Sequence, residues 1–136
     1  MSNAGNTLAC RYSALAGFEI IASEADILFL VNTITQSADI EDETRVLCQN
    51  ADLTLAPYDE AVSDIRINSA SGHLQIIHLP STLRLLGDSP SLRLLAENLE
   101  AITGGSSPHL HVEYYPGHFF IAEGSEPLIV TKAART

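Results

Sequence analysis

Tryptophan is absent, methionine occurs once and cysteine twice, and only 7 of the 136 residues are lysine or arginine. Set against 17 aspartates and glutamates, that shortage of cations leaves a formal net charge of −10. Seven scattered cations cannot neutralise a run of phosphates, so a nucleic-acid backbone is excluded as partner. The same balance excludes docking on an anionic membrane. Long apolar runs are also missing: the longest, Ile27 to Val31, falls far short of the roughly 20 residues that span a bilayer. The Met-Ser-Asn-Ala-Gly-Asn-Thr start has no cationic or apolar run, so no secretory leader is expected. Cys10 and Cys48 have neither CxxC nor metal-ligand spacing and read as two buried thiols of a cytoplasmic protein. A Gly-x-Ser-x-Gly elbow, a phosphate-cradling glycine loop and His-Glu-x-x-His are all lacking, so no enzyme class and no cofactor is indicated.

What is present is an ordinary globular composition, 46% hydrophobic and 18% charged, at a length that suits a single domain over residues 1–136. A helix is expected from about Glu24 to Ser37, capped by Ser23, with Ile27, Leu30, Val31 and Ile34 at helical spacing and Leu28 and Phe29 widening the stripe. A second is expected from about Pro90 to Ile102, with Ser89 as cap and Thr103-Gly104-Gly105 as stop. Alternation places strands over 10–14, 18–22, 44–48, 62–68, 73–79, 82–86, 109–115, 119–122 and 128–131. The stretches 62–68 and 73–79 read as the arms of one hairpin around Ser69 to Gly72. Two halves, 8–55 and 62–131, each run strand, capped helix, strand, a weak internal repeat of about 60 residues. The expected fold is α+β: a mostly antiparallel sheet with two helices packed on one face.

Two clusters attract a functional reading. On a strand, His109, His111, Glu113 and Tyr115 share one face, and two imidazoles about 7 Å apart with a carboxylate could hold a divalent metal if His118 folded back. The plainer alternative is a polar outward face making cross-strand contacts. The other cluster is Asp39, Glu41, Asp42 and Glu43, a concentrated negative patch that would speed encounter with a basic protein; its plain alternative is a solvated loop. His73 and His78 stand at odd separation on the expected hairpin and do not pair, and His78 beside Leu79-Pro80 reads as structural.

Several stretches of the second half carry a resemblance. Ala56-Pro57-Tyr58-Asp59, Ile65-Arg66-Ile67, Leu86-Gly87-Asp88-Ser89-Pro90, Leu94 to Glu100, His109 to His118 and Ser125 to Val130 form a recurring bacterial pattern. Over about residues 56–131 the chain resembles the immunity protein 32 family, antitoxins encoded beside bacterial polymorphic toxins. The resemblance implies a non-catalytic protein that neutralises a cognate toxin by occlusion, and it supplies no catalytic residue. A basic toxin is the partner expected for an acidic inhibitor. The rival readings are a metal-binding protein or metal-dependent enzyme using the His109–His118 segment, and a homodimer joined through an unpaired strand edge.

Overall fold

Along the computed structural model, which describes residues 8–105 and 107–133, run β1 (Ala9–Ser13), β2 (Gly17–Ala22), α1 (Glu24–Ser37), β3 (Thr44–Leu47), β4 (Glu60–Ala61), β5 (Asp64–Ser69), β6 (Gln75–Leu79), β7 (Thr82–Gly87), α2 (Ser89–Thr103), β8 (His109–Val112) and β9 (Leu128–Lys132). The N-terminal stretch read for a leader lies outside the described residues.

Each helix starts where a side-chain oxygen can accept an orphan amide of the first turn. Ser23 Oγ accepts the Asp26 N–H at 3.2 Å. The second cap is Asp88, not the expected Ser89: its carboxylate accepts the Ser91 N–H at 2.9 Å, and Ser89 is already helical. An ionised acceptor makes the stronger bond and takes the capping position. Hydrogen bonds from Ser91, through its side chain and its amide, hold the Asp88 carboxyl below the ordinary carboxylate range. Phe29 packs against the core as the wide stripe of α1 implied, but Leu28 is exposed.

The α+β class and the mostly antiparallel pairing are observed, but the strands form two sheets where one was expected. Their orders are β4-β1-β2-β9-β8 and β3-β5-β7-β6. Each is mixed, with a parallel pair, β2 with β9 or β5 with β7, among antiparallel neighbours. The crossing happens after each helix. β3 follows α1 but joins the sheet of β5 and β7, while β8 follows α2 but joins β9 beside β2. The halves read from the sequence thus contribute strands to each other's sheets, and neither forms a self-contained strand–helix–strand unit. The helices pack on each other, α1 also reaching β2, β3 and β5, and α2 reaching β7, β8 and β9. One contiguous core cluster takes in Phe18 and Ile20 of β2, Ile65 and Ile67 of β5, Leu83 and Leu85 of β7, Val130 of β9 and the facing stripes of both helices.

Three sequence-based strand assignments change. The expected 62–68/73–79 hairpin does not form, because β7 inserts between β5 and β6. The tight hairpin is instead β6–β7, whose two-residue loop Pro80-Ser81 has Ser81 at φ 59°. The 109–115 strand ends at Val112, and 119–122 is no strand but a single bridge from Ile121 to Leu74. The short β4 was not anticipated. Of the two cysteines, Cys10 is buried and Cys48 half-buried; burial pushes the Cys10 thiol well up, and the Cys48 thiol beside it adds to the effect. No helix among the described residues is long and apolar enough to cross a membrane.

Candidate functional site

β8 and β9 pair from His109↔Thr131 to Val112↔Leu128. The next position would set Glu113 against Pro127, and the ladder stops before it. Glu113, Tyr114 and Tyr115 therefore leave the sheet. A turn from Tyr115 to His118, closed by the His118 N–H on the Tyr115 carbonyl at 2.9 Å and with Gly117 at φ 87°, folds the chain back. The elbow encloses a cleft of about 390 Å³ between α2 and the end of β8. Asn98 of α2, His111, Glu113, Tyr115, His118 and Phe119 line it, over a floor that includes Val112 and Phe120.

Three of the four residues singled out on this segment, His111, Glu113 and His118, thus meet around one cleft. They meet because of the turn, since the strand that was to carry Glu113 and Tyr115 is not formed. His109 stands apart: its Nδ1 lies 3.2 Å from the Thr131 hydroxyl, which donates to Glu19 Oε2 at 2.6 Å. The sequence reading missed Asn98 and Phe119, and it set Tyr115 on a strand face, not at the rim of a cleft. Tyr115 and Phe119 are 56% and 65% exposed, large apolar rings left facing solvent. The His118 ring stacks on Phe119 (centroids 5.5 Å apart, planes 8° apart) and lies 4.6 Å from Tyr115. The available signal was the placing of aromatics on both sides of Pro116-Gly117.

The neutral His118 ring is held with Nδ1 as the acceptor. Its Nδ1 accepts the amide hydrogens of Phe120 and Ile121, both at 3.1 Å. A proton on Nδ1 would end both bonds. Burial, with a smaller contribution from His73, lowers its pKa below the ordinary 6.5. The folded pKa being depressed, the unfolded chain takes the proton first, so the stability it contributes is present above about pH 6.5 and lost as pH falls through the lower folded value. Thermal melts between pH 7.5 and 5 are expected to show a larger loss of Tm for the native protein than for His118→Asn, which keeps an acceptor near the Nδ1 position. Parallel pH profiles would contradict this account.

The two bonds to Nδ1 also leave His118 only its Nε2 for any further contact. Among the described residues no group of three or more His, Cys, Asp or Glu side chains is placed to hold a metal ion, so the metal reading gains no support from the geometry. His78 stacks face to face on Tyr12 at 3.8 Å and its Nε2 lies 2.8 Å from Glu60 Oε1, which fastens β6 of one sheet to β1 and β4 of the other.

Asp39, Glu41, Asp42 and Glu43 occupy the exposed loop between α1 and β3 and do not line the cleft. Asp39 is paired with Arg93 of α2, and the Ile40 carbonyl accepts the Ser69 hydroxyl at 2.9 Å. Glu41, Asp42 and Glu43 make no ion pair among the described residues. The loop is thus anchored at its start and carries its remaining charge outward.

No curated protein and no solved structure matches the chain. A family model does, over a shorter span than the 56–131 of the sequence-based resemblance: it begins at β7 and runs through α2, β8 and β9. Every residue lining the cleft falls inside that span. The portion of the chain that builds the cleft, residues 82–133, matches the family described as Immunity protein 32.

Proposed function

We propose that this chain is a non-catalytic, immunity-type binding protein that neutralises a toxin by covering its active site, with the cleft between α2 and the 113–119 elbow as its contact surface. The observation that carries the reading is that the immunity-family match encloses the whole cleft. The exposed Tyr115 and Phe119 on the rim support it, because aromatic anchors dominate the energetics of protein interfaces. His111, Glu113, His118 and Asn98 supply the polar groups that set orientation. Glu41, Asp42 and Glu43, with the overall charge of −10, favour a basic toxin and act mainly on the rate of encounter.

The test is binding of the purified chain to the product of the adjacent toxin-like gene, followed by calorimetry and stopped-flow. Tyr115→Ala with Phe119→Ala is expected to weaken the complex by about a hundredfold, mostly through faster dissociation. Replacing Glu41, Asp42 and Glu43 with their amides is expected to slow association at low salt and leave dissociation unchanged. A complex indifferent to the aromatic pair would move the contact surface elsewhere. Absence of any complex with a neighbouring toxin would remove the immunity reading.

A further inference from the structure

The outer face of the four-stranded sheet carries arginines in cross-strand register. Arg45 on β3 stands opposite Arg66 on β5, and Arg66 opposite Arg84 on β7. Three of the seven basic residues of an acidic chain are set side by side, an arrangement that is itself destabilising because like charges directly opposite repel. One carboxylate offsets it in part. Asp64, nearly buried, accepts the Thr82 hydroxyl at 2.8 Å through Oδ1, and its Oδ2 lies 3.3 Å from Arg45 Nε and 3.2 Å from Arg66 Nε. Arg84 has no such partner. It makes no ion pair among the described residues, and its Nε is buried without an acceptor. Asn68 Oδ1, on the same face of β5, is buried without a donor.

A buried guanidinium nitrogen lacking an acceptor is costly, and a row of forks with a single carboxylate is two negative charges short. The neighbouring row of the same face, Leu47–Asp64–Thr82–Leu79, ends in two leucines that are 44% and 37% exposed. Arginine is enriched at protein interfaces, and the exposed leucines beside it add apolar area to the same face. The exposed Leu47 and Leu79 favour a polypeptide, whose apolar side chains can cover them, over a bare phosphate, which brings no apolar surface.

We propose that this face docks an acidic segment of a protein partner, whose carboxylates are chelated by Arg66 and Arg84 while its apolar side chains cover Leu47 and Leu79. It is a second surface, apart from the cleft and independent of the toxin reading.

The experiment uses the full chain at low ionic strength with a fluorescent alternating glutamate-leucine octapeptide, its glutamine-leucine counterpart, and inorganic phosphate as competitor. Saturable binding of the glutamate peptide alone is expected. It should weaken about tenfold in Arg66→Gln with Arg84→Gln, where two bidentate contacts are lost, and stay unchanged in Arg93→Gln, which removes a cation from α2. Should the double variant fail to fold, Arg84→Lys keeps the charge and removes the planar fork, and about threefold weaker binding is expected. Equal binding of the two peptides, affinity unchanged in the variants, or displacement of the peptide by equimolar phosphate would each overturn the proposal.

Discussion

Gly17→Ala is expected to lower stability by about 3 kcal/mol, although the substitution adds a single methyl group. Gly17 sits at φ 82° at the start of β2, a conformation that side-chain-bearing residues rarely adopt. A Cβ there would lie 2.3 Å from the Pro127 carbonyl oxygen, an approach that real side chains do not make. That carbonyl cannot simply move aside, because it accepts the Phe18 N–H at 2.8 Å and leads into β9. Relief of the clash has to part β2 from β9, the parallel pair that joins strands from the two ends of the chain. Gly72→Ala separates strain from collision: φ is 99°, but no atom lies within 4 Å of the added Cβ. Only the backbone penalty of about 1–2 kcal/mol applies there. Urea denaturation of both variants decides the matter, and equal losses would show that the Pro127 contact is not the cause.

Phe18→Ala is expected to destabilise by about 3–5 kcal/mol, enough to leave a small domain partly unfolded at ambient temperature. Phe18 has no solvent exposure. Its ring lies 4.6 Å from Tyr12 and 6.0 Å from His78. Tyr12 and Phe18 belong to the five-stranded sheet and His78 to the four-stranded one, so the rings close a seam where the sheets meet. A cavity at this position removes packing from both, and the neighbouring rings are held by their own stack and by the His78–Glu60 contact. Phe119→Ala removes the same atoms from a site that is 65% exposed and should change stability by less than about 0.5 kcal/mol. Differential scanning calorimetry gives both values. Comparable losses would mean that Phe119 is part of the core, and would disqualify it as a binding probe.

Much of the local structure is legible in the residues because short-range physics determines it. Both helices follow from caps and from apolar side chains at helical spacing, and the Asp88-for-Ser89 error is a choice between two adjacent oxygen-bearing side chains. The candidate site was legible in composition but not in shape. His109 to His118 stood out as a dense polar stretch, and strand periodicity grouped His109, His111, Glu113 and Tyr115. The ladder ends where β8 would face Pro127, a partner some 15 residues further along the chain, and periodicity within a segment carries no information about its neighbour. The reversal at Gly117 is a local turn, but the approach of Asn98 that completes the cleft depends on how α2 packs against β8. The arginine row is similarly invisible: Arg45, Arg66 and Arg84 are isolated cations until β3, β5 and β7 come into register.

The sequence by itself determined the two helices and most of the strands, the acidic charge, and a resemblance to the family whose model matches residues 82–133. Tertiary structure alone decided that the strands divide into two sheets that exchange strands between the halves of the chain. It also decided that β7 separates the supposed arms of a hairpin, and that histidine, carboxylate and aromatic side chains gather at one elbow while arginines line a sheet face outside it. The reason is physical. Caps, turns and alternation act over a few residues, whereas strand partners are chosen by the burial of apolar faces between segments far apart in the chain, and those partners place every long-range cluster on the molecule.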